Sequence, residues 1–273
     1  GLAIPCLKLV HRGEKRRDVI KLLERNNRFF SFHGDLAAMI SGVQHSVRLL
    51  QNLVRKWGSD VVKAAINYRM DHTEKRERDE EAKRPDGYYE PAVLIDHDTM
   101  GTKDVRVHVS CTIEGDQLTV DLTGTDDRPE LVGVWNTFAN SRSYIMTQVV
   151  AAMDPAIVKN EGFFQAVDMF IPEGSIAQPP ANKPAALGSF HPACEITEAV
   201  CLALSHVAPE RSAPQVYKIG MPNAVIGFDQ KGRMWMDQGV DSRTMDASAV
   251  QGIDGWGSCP VSLGNLLLAQ VED

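Results

Sequence analysis

Apolar residues in the first third of the chain recur at helical spacing. Val19, Leu22 and Leu23 fall on one side of a short segment, Asp18 to Arg25. Leu36, Met39, Ile40, Val43, Val47, Leu50 and Val54 then follow at steps of three and four. That spacing predicts an amphipathic helix from about Asp35 to Trp57. Gly58 and then Ser59-Asp60 read as a C-cap followed by an N-cap. A third helix opens with Val61, Val62, Ala65 and Ile66 and runs into HTEKRERDEEAKR. The signs in this tail alternate and its Glu-to-Arg pairs fall at helical spacing, so it reads as a solvated face. Pro85-Asp86-Gly87 ends it as a turn.

Beyond Gly87 the period changes to two. YYEPAVLID, VRVHVSCTIEG and QLTVDLTGT read as strands, with Glu114-Gly115-Asp116 as a tight connection. NSRSYIMTQVVAAMD returns to helix, and AVDMFIPEGS is a strand ending in a Pro-Glu-Gly turn. SIAQPPANKPAALGSF is an extended connection, and helix resumes from about Pro192 to His206. YKIGMPNAVIGFDQKGRMWMDQGVD then reads as strands around a Gln230-Lys231-Gly232 turn. The pattern implies an α+β fold. An amino-terminal helical part, residues 1–85, precedes mixed and antiparallel sheets with packed helices over 86–273.

Composition narrows the function. The 273 residues are 43% apolar and 24% charged, enough to build a core. The net charge of −7 argues against a nucleic-acid surface. No apolar run approaches the roughly 20 residues that span a bilayer. The opening GLAIPCLKLV lacks the basic start and small-residue cleavage site of a signal peptide. Cys6, Cys111, Cys194, Cys201 and Cys259 are widely spaced, without a CxxC pair. That suits reduced thiols and a cytoplasmic location.

Four stretches carry candidate chemistry. In Asp121-Leu122-Thr123-Gly124-Thr125 the aspartate stands one residue too early for an aspartic protease loop, and no second such loop exists. It reads as a strand end, with Gly124 in the turn and Asp126 or Asp127 capping loop amides. In SFHPACEITEAVCLALSHV, a helix starting at Pro192 puts His191, Cys194, Glu195 and Glu198 on one face and Ile196, Val200, Ala203 and Val207 on the other. His191, Glu195 and Glu198 are the candidate catalytic groups, and Cys194 is a candidate metal ligand. The alternative is a helix start at an interface, its acids near the positive helix end. Asp96, His97 and Asp98 alternate across a strand, so the aspartates could converge without His97; His108 lies on the next strand. Asp241, Asp246 and Asp254, in a Gly-rich acidic stretch with Asp237, are candidate substrate-lining residues; their spacing is not that of an EF-hand. There is no Walker A motif, no GxGxxG after a strand and no GxSxG.

Taken in order, IPCLKLVHRGE, HGDLAAMISGVQHSVRLLQNLVRKWG, YRMDHTEKRERDEEAKRPDGYYEP, IEGDQLTVDLTGTDDRPELVGVWN and NEGFFQAVDMFIPEGSIAQPPANKPAA resemble the hydantoinase B/oxoprolinase family over essentially the whole chain. The resemblance implies the middle portion of a B-type subunit whose relatives extend further on both sides, with the main metal ligands outside these residues. It implies a hetero-oligomer with a hydantoinase A-type subunit that binds ATP and phosphorylates a carbonyl or amide oxygen. The B-type subunit then completes hydrolysis of a cyclic amide: a hydantoin, oxoproline or another lactam. SFHPACEITEA departs from the Asn-x-Glu-Thr run of relatives that open lactams, and GVDSRTMDASAVQGIDGWGS departs from their Gly-Gly-x-Gly-Ala loop. Two other readings therefore stand: a subunit of an ATP-dependent ketone carboxylase of the acetone or acetophenone type, and a non-catalytic scaffold.

Overall fold

A computed structural model describes residues 4, 6–27, 32–185, 191–212, 223–239 and 250–254. The chain divides into two compact units, Gly1–Arg69 and Met70–Asp273. The change of texture falls at Pro85, but the division between compact units falls earlier, inside the third helix.

The first unit begins with β1 (Val10–His11) and β2 (Glu14–Lys15), paired antiparallel. Arg12 and Gly13 both take positive φ, 51° and 88°, as a tight turn between right-twisting strands requires. Helix α1 (Arg17–Asn26) buries Val19 and Leu23. Helix α2 (Phe32–Trp57) buries only Leu36 and Ile40, and these four side chains form one small core. Gly58, at φ 83°, closes α2 by donating to the Val54 carbonyl at 2.8 Å. Helix α3 (Ser59–Glu81) follows directly.

The last turns of α3 belong to the second unit. Its buried residues are Thr73, Glu77 and Glu81, one polar stripe at i, i+4 and i+8. The expectation of a fully solvated tail is corrected here. Hydrophobic periodicity could not show this stripe, because ion pairs and hydrogen bonds dock it. Arg78 bonds Gln117 Oε1 (2.7 Å) and the Gln165 carbonyl (3.3 Å), and Arg84 bonds Glu81 and the Ala152 carbonyl (2.8 Å).

The strands form two sheets in this region. β3 (Gly87–Tyr89), β6 (Ser110–Glu114), β7 (Gln117–Asp121) and β8 (Val167–Phe170) make a four-stranded sheet in that order. β3–β6 and β6–β7 are antiparallel, while β7–β8 is parallel. A parallel pair needs a crossover, and α4 (Phe138–Ala152) and α5 (Glu161–Gln165) occupy it. β4 (Ala92–His97) and β5 (Lys103–His108) form a separate antiparallel ribbon. Each long alternating stretch is thus two strands in different sheets. Pro91, which has no N–H to give a ladder, breaks one; Val109 breaks the other and bonds the Pro91 carbonyl at 3.2 Å. β9 (Asn223–Phe228) and β10 (Met234–Gly239) make a hairpin around the expected turn.

Helix α6 (Ala193–Ser205) packs on α4 and against β4, β5 and β6. The main core runs from Val105, Leu118 and Leu122 through Trp135, Ile145 and Phe163 to Ile196 and Leu204, each at most 1% exposed. Fully burying one such side chain contributes about 1.5–3 kcal/mol. No described helix is long and apolar enough to cross a membrane.

Candidate functional site

At the start of α6, His191 Nδ1 lies 3.0 Å from Glu195 Oε1, one helical turn away. The Glu195 side chain is fully buried, while that of His191 is 43% exposed. With Glu195 ionised, its carboxylate only accepts, so Nδ1 would donate in this pair and Nε2 would carry the lone pair of a neutral ring. This is the arrangement of a general base held in one tautomer by a buried acid. Of the expected core face, Ile196, Val200 and Ala203 are completely buried, while Val207, past the end of α6, is only half-buried against the same core. The opposite face is not open, as a polar surface would be. Cys194 is 8% exposed and Glu198 half-buried, because the helix is covered on both sides. Cys201, further along, donates to Gln148 Oε1 at 2.8 Å, and burial pushes its thiol up to about 11.

His191, Cys194, Glu195 and Glu198 do not converge as a metal centre. Among the described residues no three His, Cys, Asp or Glu side chains are grouped to hold an ion. Cys194 therefore belongs to no ligand set among the described residues, and no chemical step is assigned to a metal. Asp254 is described and exposed, next to a small bridge between Val250 and Ile253. Asp241 and Asp246 lie outside the described residues.

The loop after β7 is built around His108. Thr125 Oγ1 accepts from the His108 amide (3.1 Å) and donates to the His108 carbonyl (2.9 Å). The imidazole Nδ1 donates to the Thr123 carbonyl at 2.5 Å, and Nε2 lies 2.9 Å from Glu90 Oε1. Gly124 has φ 92°, and a Cβ there would sit 3.3 Å from the ring nitrogen. The Thr-Gly-Thr run is thus a strand-end latch, with glycine set by both backbone and space. The same residues line a polar cleft of about 490 Å³, completed by Arg106, Asp126, Asp127, Pro172, Glu173 and Ser175. Burial raises the Asp126 carboxyl, but Arg128, 2.6 Å away, and backbone donors outweigh it and hold it low. Arg106 and Glu173 were not singled out in the sequence. The signal was there: Thr-Gly-Thr and Pro-Glu-Gly-Ser are separate family-like stretches, which only folding brings together.

Asp98 is structural. Burial raises its carboxyl, but the Val132, Thr102 and Met100 amides donate to it at 2.8–2.9 Å and lower it. Glu77 also escaped sequence reading. It is fully buried, neither carboxylate oxygen has a hydrogen-bond partner among the described residues, and burial, with Glu81 nearby, raises its pKa to about 8.

Comparison with known proteins decides the family. The profile of hydantoinase B/oxoprolinase matches residues 1–273. The chain belongs to this family. The B-type subunit of a putative D-/L-hydantoinase from Pseudomonas sp. (strain NS671) is 28% identical over 77% of the chain and 37% of its own length. The beta subunit of caprolactamase from Pseudomonas jessenii is 27% identical over 95% of the chain and 45% of its own length. The chain thus spans less than half the length of these relatives. The crystal structure of the ATP-dependent caprolactamase from the same organism superimposes over 95% of the chain and 45% of its own, with TM-score 0.81 and 25% identity. A nucleotide-free acetone carboxylase superimposes with TM-score 0.72 at 18% identity, a likeness of fold alone. The α+β architecture is therefore similar to that of the caprolactamase.

Proposed function

We propose that this chain is the central part of a B-type subunit that opens a phosphoryl-activated cyclic amide. The observation that carries the reading is the fit to caprolactamase, by sequence and by fold, over 95% of the chain. An A-type partner binds ATP and phosphorylates the amide oxygen, which leaves the carbonyl carbon electrophilic. Water adds to that carbon while His191 Nε2 takes its proton, with Glu195 stabilising the imidazolium. The ring C–N bond then breaks and the nitrogen leaves protonated. Another water releases inorganic phosphate, giving an amino acid, ADP and phosphate. Glu198 sits one turn beyond Glu195 as a supporting acid. Asp241, Asp246 and Asp254 are proposed to line the substrate side, and any divalent metal would find its main ligands outside this chain.

The test uses the ATP-binding complex purified from the source. ATP-dependent phosphate release is measured with caprolactam, hydantoin and 5-oxoproline, and separately with acetone or acetophenone plus bicarbonate. Turnover of a cyclic amide is expected, with His191→Asn lowering kcat about 10²–10⁴-fold. Turnover only of a ketone with bicarbonate would assign the carboxylase reaction instead. A His191→Asn complex with unchanged kcat would leave this chain a scaffold.

A further inference from the structure

The apolar stripe of α2 outlasts its buried start. Beyond Ile40, Val43, Val47, Leu50, Leu53 and Trp57 are all 47–65% exposed, and Val61 and Ile66 at the start of α3 are 57% and 48% exposed. These side chains line two grooves in the first unit. One, of about 740 Å³, lies among Val10, Met39, Val43, Val47 and Arg48. The other, of about 430 Å³, lies at the Gly58 corner among Leu50, Leu53, Trp57, Val61 and Ile66. Apolar patches of this extent on a soluble surface mark interaction sites.

Charge identifies the occupant. Residues 36–69 carry Arg48, Arg55, Lys56, Lys63 and Arg69 against one acid, Asp60, in a chain of net charge −7. Arg48 contacts His45 at 3.3 Å, and Arg55 bonds Asn52 and the Gln51 carbonyl, so among the described residues both reach groups of their own helix rather than carboxylates. Lys56 lies 4.8 Å from the Trp57 ring centre, at the rim of the corner groove. We propose that residues 36–69 dock an acidic amphipathic helix from another polypeptide chain. Its apolar face would fill the grooves and its carboxylates would meet the basic rim. The corner groove is lined from both α2 and α3, and the larger one from α2 and the β1 turn, which suits a helix seated between ridges better than a flat lipid surface. Both Pseudomonas relatives named above are subunits of larger enzymes. The inference is independent of the reaction proposed above.

The test titrates the purified chain into labelled helical peptides about three heptads long, with Leu at core positions and Glu elsewhere or Lys in place of Glu. Saturable binding of the Glu peptide alone is expected, weakening with salt. Leu53→Asp with Ile66→Asp should weaken it at least about tenfold, and Arg55→Glu with Lys63→Glu about three- to tenfold. All four positions are outside the buried core, so the circular dichroism spectrum should be unchanged. Equal binding of both peptides, or none, overturns the proposal. So does a dimer in sedimentation that Leu53→Asp dissolves, which would make a second copy the occupant. Binding to phosphatidylserine vesicles that the variants abolish would assign a membrane instead.

Discussion

Helices α2 and α6 both show apolar residues at helical spacing, yet they end in opposite environments. Ten of the 13 residues of α6 are buried, against two of the 26 in α2. The difference lies in the neighbours. Helix α6 has α4 on one side and three strands on another, while α2 shares a core of four side chains with α1. An amphipathic pattern states that a face is to be covered. It does not state whether the cover comes from the same unit. A polar stripe can equally be buried: Thr73 accepts from Asn160 and Glu81 pairs with Arg84, while Glu77 between them finds no hydrogen-bond partner among the described residues.

The contrast is sharpest in Trp135→Ala. Trp135 is 1% exposed and its indole donates to the Leu131 carbonyl at 2.7 Å. Its loss should cost about 3–5 kcal/mol in urea unfolding of the second unit. A loss under about 1 kcal/mol would deny that unit a tightly packed core.

Gly162→Ala comes next. A Cβ at this position would lie 2.1 Å from the Met70 carbonyl oxygen, so α3 and α5 must separate. About 2–4 kcal/mol should be lost in the same measurement, and hydrogen exchange should speed up in the last turns of α3.

Glu77→Gln tests the buried polar stripe through pH. Burial raises Glu77 from 4.5 to about 8, and the Glu81 charge adds to it; Arg84 and Lys159 oppose, and Glu80 adds a little. The folded chain therefore holds a proton that the unfolded chain has released between those values. Its contribution is full below pH 4.5 and is lost as pH rises to about 8. Removing the carboxyl should shrink the fall in stability between pH 5 and pH 9 by on the order of 1–3 kcal/mol. An unchanged slope would mean that Glu77 is solvated.

Leu50→Ala is the opposite pole. Leu50 is 47% exposed on α2, so the isolated chain should change by less than about 0.5 kcal/mol. A larger loss in thermal unfolding would show that this face is already covered.

Much of the secondary structure was legible. The 3.6-residue period located α1, α2, α3, α4 and α6 to within a few residues, and Gly58 marked the end of α2 because only glycine takes φ 83° without strain. The breaks at Pro91 and Val109 were not legible, since residues on either side keep the same alternation while changing sheets. Helix α5 was missed because five residues are too few to show a period. At the candidate site, the spacing of His191 and Glu195 announced a shared face, but not that Glu195 would be sealed from water.

The sequence alone determined the types of the longer elements and the family, because periodicity, turn residues and motif order are local properties of the chain; the short β1–β2 pair and α5 were too brief to show a period. Only the tertiary structure decided which faces are covered and which polar groups meet. It paired β7 with β8 across a helical crossover, set Thr-Gly-Thr beside Pro-Glu-Gly-Ser in one cleft, and left the Glu77 carboxyl without a hydrogen-bond partner among the described residues. Burial and electrostatic environment depend on residues distant in the chain, and the order of residues does not name those neighbours.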